Sequence, residues 1–414
     1  MRRETRYRVR RAQPKRCSCD SPAPLASSRD RGLVPWLDSA SLPPRVLIFS
    51  ASVGEGHDLP ARMLTDQLIR ERPDVEAVTV DGLAAMGGVI KTVSEDAPRL
   101  VFFRAQWVWD LAFWLFASFR PTRLLTRTAL GLLGSTALER VIRREQPDVI
   151  VSTYPQTTEV LGQLRRRKRI SVPVCSAITD LAAMDYWAAP GVDLHLVTHP
   201  ESIPEVVEVA GPGTEVIAVQ GFTDPAFLTP RSKTSARETL GLPPAGRIVL
   251  VSGGGWGVGD LPGAVECALS SNASEYVVCL CGQNDQLRAA LTQRHRRNAR
   301  VRIEGFTDEM PEWLAAADVL VHSTGGLTVL EALMRGCPVI SYGWGRGHIR
   351  RNNEAFVRYG LATVASDRHE LEAALRTSIL DDRTPNLEFA HLPSAASKVL
   401  ALASGDGEAS GDAD

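Results

Sequence analysis

The stretch from Asp318 to Leu333, D-V-L-V-H-S-T-G-G-L-T-V-L-E-A-L, constrains the fold of this chain more than any other. Asp318 to His322 reads as a buried strand, Ser323-Thr324-Gly325-Gly326 as a turn, and the residues from Leu327 as a helix. That helix carries one carboxylate, Glu331, in its second turn. A strand that passes through a glycine turn into a helix N-terminus presents backbone N–H groups and a positive dipole end, which suits a phosphate. Glu331 then stands where an acidic residue reaches the hydroxyls of an attached ribose. An ordinary strand–helix turn with a surface glutamate is the alternative.

The same pattern recurs along the chain. Arg45-Val-Leu-Ile-Phe-Ser-Ala51 is a predicted buried strand that turns through Ser52-Val-Gly54-Glu-Gly56-His57 into a helix ending near Arg72. Further strand-like runs lie at 75–81, 148–153, 172–179, 193–197 and 215–220. After a Pro-rich connection they resume at 247–252, 276–281, 301–304, 318–322 and 338–342, with helical patterns between them. Strands alternating with helices predict parallel, doubly wound sheets. At 414 residues two such domains are expected. We assign 44–222 and 223–403 to them, with a ligand cleft between.

Hydrophobic content of 44% and charged content of 23% are those of a folded protein rather than a disordered one. The net charge of −1 hides an uneven distribution. Residues 1–43 read as a disordered basic extension and 404–414 as a disordered acidic tail. The extension has no apolar core of a secretory signal. An Arg/Ser-rich targeting peptide and an upstream start codon are its two readings. The C-x-C pairs Cys17/Cys19 and Cys279/Cys281 lack a second ligand pair at zinc spacing, so reduced, buried or idle thiols are expected.

No run is long enough to span a bilayer. Aromatics concentrate in Trp107-Val-Trp109-Asp-Leu-Ala-Phe-Trp114-Leu-Phe-Ala-Ser-Phe119, and cations cluster from Arg99 to Arg169, including the run Arg165-Arg-Arg-Lys-Arg169. Trp and Phe beside arginines compose a helix at a membrane interface. The competing reading is a core helix followed by a solvated basic face. We expect an anionic membrane surface as a peripheral partner, a cytoplasmic location at its inner face, and no nucleic-acid partner.

Five motifs in order then resemble one family: Ser50-Ala-Ser-Val-Gly-Glu-Gly-His57; Ile178-Thr-Asp180 with Trp187 and Pro190-Gly-Val-Asp193; Val251-Ser-Gly253-Gly254-Gly255; Gly305-Phe306-Thr307 with Met310 and Ala315-Ala-Ala-Asp318; and Ser323 to Glu331 with Gly336-Cys-Pro338. From Pro44 to Ala374 the chain looks like a GT-B glycosyltransferase of the monogalactosyldiacylglycerol synthase and processive diacylglycerol glucosyltransferase group, relatives of MurG. The resemblance implies two Rossmann-like domains facing a cleft and a hexose moved from a UDP-sugar to a lipid such as diacylglycerol. The donor is a substrate, and no cofactor is expected.

The resemblance also implies residue roles. Thr324, Gly325, Gly326 and Leu327 would face the α-phosphate with Thr328 at the helix start, and Ser323 precedes them. Glu331 would hold both ribose hydroxyls, Gly253 to Gly255 would admit the diphosphate, and Phe306 and Thr307 would line the base. The family's Pro-Gly-Gln-Glu-type loop is here Gly343-Trp-Gly-Arg-Gly-His348-Ile-Arg-Arg-Asn352-Asn353, so the sugar stays open among galactose, glucose and N-acetylglucosamine. His348, Asn352 and Asn353 are the candidate sugar contacts. Catalysis needs a base near the acceptor hydroxyl. His57 is the first candidate, beside Gly54 and Gly56, and Asp180 is the second, as base or as orienter of His57. No D-x-D pair sits where a metal would hold the diphosphate, so a metal-free, inverting reaction is expected. A soluble acceptor, a nucleotide-sugar epimerase and a non-catalytic binding protein are the competing functions.

Overall fold

Two six-stranded sheets, parallel throughout, organise the protein. The computed structural model describes residues 43–51, 55–87, 120–181, 184–271, 274–323, 326–343, 348–378 and 388–405. Gly54, Trp107, Trp109, Trp114, Thr324, Gly325, the extension up to residue 42 and the tail from 406 lie outside them. For Gly56, His57 and His348 the backbone alone is described.

The first half runs β1 (Arg45–Ser50), α1 (Glu55–Glu71), β2 (Glu76–Asp81), α2 (Gly82–Met86), α3 (Arg120–Glu145), β3 (Val149–Ser152), α4 (Pro155–Arg166), β4 (Val174–Ala177), α5 (Met184–Trp187), β5 (Leu194–Val197), α6 (Ile203–Ala210) and β6 (Glu215–Ala218). The second runs α7 (Lys233–Leu240), β7 (Ile248–Ser252), α8 (Leu261–Ser270), β8 (Tyr276–Leu280), α9 (Asp285–His295), β9 (Val301–Glu304), α10 (Met310–Ala316), β10 (Val319–His322), α11 (Leu327–Met334), β11 (Val339–Tyr342), α12 (His348–Tyr359), β12 (Thr363–Ala365), α13 (Arg368–Ser378), α14 (Glu388–His391) and α15 (Ala395–Ser404). The central strands are unbroken apolar runs, such as Val46-Leu-Ile-Phe49 and Ile248-Val-Leu-Val251, because helices cover both faces of a parallel sheet. Side-chain caps start several helices: Asp260 accepts from the N–H of Gly263 at 2.9 Å, and Asn284 from that of Leu287 at 3.0 Å.

Strand order places the sites. The first sheet reads β2-β1-β3-β4-β5-β6 and the second β12-β11-β10-β7-β8-β9. Succession therefore reverses between β1 and β3 in one sheet and between β7 and β10 in the other. Crevices at the carboxyl ends of strands at such reversals are where open α/β sheets bind ligands. Both glycine-rich turns of the sequence sit at these points.

Three features depart from the sequence reading. The helix after β1 already begins at Glu55, so Gly56 and His57 belong to its first turn rather than to the preceding loop. Strand β12 was not anticipated. The last helix, α15, packs against the first sheet: Ala395, Ala396 and Val399 share a buried cluster with Ile48, Leu64 and Val151. Among the described residues, Cys175, Cys267, Cys279, Cys281 and Cys337 are free and buried. Among the described residues no helix is long and apolar enough to cross a membrane.

Candidate active site

At the reversal of the second sheet, the loop after β7 and the loop after β10 close on each other. Ser323 donates its hydroxyl to the carbonyl of Val258, and buried His322 pairs its Nδ1 with the carbonyl of Ser252 at 2.9 Å. The β7 loop turns on itself through Gly254 to Trp256, with the N–H of Val258 bonded to the carbonyl of Gly253 at 3.0 Å. A Cβ on Gly253 would stand 2.5 Å from the Val258 backbone, and Gly254 has φ of 68°. These glycines are thus required by the loop's own closure, beyond the room they leave for a diphosphate. Gly326, with φ of 71°, turns the chain into α11. The first-turn N–H groups of a helix, here from Leu327 and Thr328, have no intrahelical partners and carry the positive dipole end.

Behind that turn Glu331 is buried at 6% exposure. Its Oε1 accepts the hydroxyl of Thr223 at 2.5 Å, from the connection between the two halves. Burial pushes the carboxyl up to about 7; the Thr223 hydrogen bond opposes this and Asp224 adds to it. The connection is pressed close here. Gly221 has φ of 103°, and a Cβ on it would lie 3.0 Å from Leu330 and 3.2 Å from Met334. Thr223 had carried no signal in the sequence, because its partner stands 108 residues away.

The first half contributes the turn that follows β1. His57 lies in the first turn of α1 at the reversal point of its sheet. Two residues later, Leu59 packs against a core cluster that joins Leu181 of the first half to residues of the second, Leu327 and Leu330 among them. Asp58, directly after His57, accepts the hydroxyl of Ser50 at 2.5 Å and ties the helix start to the end of β1. Sequence reasoning passed over Asp58, although Ser50 and His57 bracket the same motif.

Asp180 reaches across the interface. Its Oδ2 accepts the indole N–H of buried Trp187 at 3.0 Å, and its Oδ1 the side-chain amide of Asn352 at 3.4 Å. A buried indole N–H needs an acceptor, so Asp180 has a structural task whatever else it does. Asn352 is 1% exposed, and its Oδ1 finds no partner among the described residues. Beside it, Arg351 pairs with Asp185 at 2.9 Å, and one helical stretch on, Arg358 pairs with Glu205 at 3.5 Å. Helix α12 is thus the clasp between halves, starting at His348.

Not every expected residue converges there. Asn353 accepts the Ser341 hydroxyl at 2.6 Å and donates to the Gly343 carbonyl at 3.3 Å, which occupies its amide within the second half. The Thr307 hydroxyl accepts the N–H of Glu309 at 3.0 Å and the indole of Trp313 at 3.1 Å, which occupies it at the approach to α10. Phe306 is 53% exposed on the loop after β9, a large apolar ring in water. Among the described residues no group of three His, Cys, Asp or Glu is placed to hold a metal ion.

Comparison with known proteins follows these two halves. The monogalactosyldiacylglycerol (MGDG) synthase family model matches residues 59–222, and the glycosyl transferases group 1 model matches 257–381. A processive diacylglycerol beta-glucosyltransferase of Staphylococcus aureus is 25% identical over 335 residues, covering 79% of this chain and 82% of that protein. Among solved structures, the glycosyltransferase SnogD from Streptomyces nogalater superposes with a TM-score of 0.50 at 17% identity, over 87% of this chain and 100% of its own. Medicago truncatula UGT71G1, complexed with UDP-glucose, gives 0.53 at 13% identity, over 90% and 96%. Fold and sequence agree over both halves: the chain has the two-domain fold of these glycosyltransferases, and its sequence is similar to the monogalactosyldiacylglycerol synthases in the first half and to the processive diacylglycerol glucosyltransferases over most of its length.

Proposed function

We propose that the protein transfers a hexose from a UDP-sugar to a diacylglycerol-type lipid at a membrane surface, with inversion and without a metal ion. The observation that carries this is the meeting of the β7 and β10 loops at the reversal of the second sheet, with the α11 N-terminus at that point and Glu331 buried one turn further along the same helix. A dipole end for the diphosphate and an acceptor for the ribose diol, spaced along one helix, are the two things a nucleoside diphosphate needs. The curated relative named for diacylglycerol supports the lipid acceptor.

In this reading His57 removes the acceptor hydroxyl proton as the acceptor oxygen bonds to the anomeric carbon and UDP departs from the opposite face. An imidazole titrates near 6.5, which suits proton acceptance at neutral pH. The departing diphosphate is held by the N–H groups from Gly326 to Thr328. Asp180, bonded to both Trp187 and Asn352, fastens the acceptor side to α12. A UDP-α-sugar then yields a β-glycoside.

The test is purified protein with UDP-glucose, UDP-galactose and UDP-N-acetylglucosamine, each with diacylglycerol in mixed micelles, with and without EDTA. One β-linked glycolipid, formed equally well with EDTA, is expected. Turnover only with water-soluble acceptors, interconversion of the UDP-sugars, or a strict need for Mg²⁺ or Mn²⁺ would each overturn the part of the proposal it touches.

A further inference from the structure

The segment that joins the two halves is fixed from both sides. On the first half, the N–H of Val219 bonds the carbonyl of Val197 at 2.9 Å, and that of Gln220 bonds the carbonyl of Pro393 at 3.0 Å. The carbonyl of Gly221 accepts the side-chain amide of Gln67, from α1, at 3.4 Å. Phe222 is buried in the cluster that contains Ile48 and Val151. On the second half, Asp224 accepts the N–H of Ala226 at 2.8 Å and starts a single helical turn, Pro225–Leu228. Arg335, one turn beyond Glu331 on α11, donates to the carbonyl of Ala226 at 2.7 Å and to that of Thr229. Thr223 lies between these two clamps and is 4% exposed.

A hydroxyl on a backbone held at both ends has a defined direction, and the β-branch of threonine restricts its rotation further. That hydroxyl is the one donated to Glu331. Of the groups that act on the Glu331 carboxyl among the described residues, burial and the like charge of Asp224 oppose ionisation, and only the Thr223 hydroxyl favours it. Arg335 is turned to the carbonyls of the connection instead. Ionisation matters to a diol. A carboxylate has about four lone-pair sites, so one bond from Thr223 leaves room for two more donors, whereas a protonated carboxyl is itself a donor and has fewer sites to give.

We propose that Thr223 is a positioning residue of the donor site: its hydroxyl keeps the Glu331 carboxylate turned toward, and free to accept from, the ribose diol, so that the connection between the halves forms part of that site. The inference rests on the reading that Glu331 receives the ribose, and it adds a residue that acts through Glu331 rather than on the donor. Loss of the hydroxyl then has two separable effects. The carboxyl holds its proton to higher pH, by about one to two units for a lost bond to a charged group, and the carboxylate loses its bearing.

The experiment is calorimetric titration of the full chain with UDP from about pH 6 to 9.5, beside donor KM and kcat, for wild type, T223V, T223S, E331A and T223V/E331A. Wild type should gain affinity as Glu331 ionises near pH 7. T223V should bind about tenfold more weakly or worse at pH 6 to 7 and close most of that gap above pH 9. The titration of UDP itself is common to all variants and cancels in the ratio. The T223V defect should appear in donor KM, with kcat at saturating donor little changed, and T223S should restore wild-type binding. Added to E331A, T223V should cost nothing further, because its route is already cut. Wild-type affinity of T223V across the range overturns the proposal. So does a loss that is equal at every pH and is not restored by serine, or one that adds in full to E331A. Should T223V not fold, T223A carries the same pH test. A weakened E331A beside an unaffected T223V strikes this proposal alone, whereas an E331A that binds UDP like wild type strikes the ribose reading and the proposal with it.

Discussion

Replacing Glu331 by Gln separates what this residue costs the fold from what it contributes to binding. Folding moves its carboxyl from 4.5 to about 7, chiefly by removing it from water. The folded state therefore holds the proton more tightly than the unfolded chain. The stability associated with the neutral form is fully present below pH 4.5 and is lost as the pH rises through 7. A shift of about 2.5 units at about 1.36 kcal/mol each amounts to roughly 3 kcal/mol. Gln keeps the shape and still accepts the Thr223 hydroxyl, but carries no charge to desolvate. Glu331→Gln should match wild type near pH 4.5 and exceed it by about 3 kcal/mol at pH 8.5 in urea unfolding. Binding should move the other way. A ribose diol donating to the carboxylate is worth about 1.5–3 kcal/mol per charge-assisted bond, so UDP affinity should fall roughly 10- to 150-fold. Because the diol favours the ionised form, wild type should release a proton on binding UDP near pH 7, read as a buffer-dependent calorimetric enthalpy, and the variant should release none. Parallel stability curves from pH 4.5 to 8.5, together with unchanged UDP affinity, would refute the burial argument and the ribose assignment at once.

Other outcomes follow from the same structure. His57→Ala should reduce kcat by about 10²–10⁴ if His57 is the base, with UDP affinity near wild type; full turnover would move that role elsewhere, Asp180 first. Asp180→Asn and Asn352→Ala, alone and together, should show a coupling of about 0.5–1.5 kcal/mol in transition-state binding, and strict additivity would mean the contact across the crevice does not matter to turnover. His199, buried and lowered to about 4, should make stability fall as the pH drops from 6.5 toward 4, because the unfolded chain takes up the proton first. His199→Gln should flatten that acid limb, a slope opposite in sign to that of Glu331, and an unaltered limb would place its origin in other groups.

Much of this fold was legible in the chain. Apolar runs of four to six residues between helical periods marked eleven strands, because hydrogen bonds and burial within a doubly covered sheet depend on a residue's immediate neighbours in sequence. Strand β12, three residues with only Ala365 buried, offered too short a run to register. The glycines around His57 suggested a loop, yet α1 starts at Glu55, despite the local weakness of glycine in a helix. The turn into α11 and the carboxylate behind it were equally visible, because both lie on one short segment with a defined helical offset. What that carboxylate touches was not. Thr223 meets Glu331 from 108 residues away, Asn352 meets Asp180 from 172, and Arg351 meets Asp185 from 166. Local pattern determines which helices and strands form and which of their faces are apolar. The tertiary structure decides how two independently wound sheets lie against each other, and with it whether Glu331 is dry and which oxygens of Asp180 are taken.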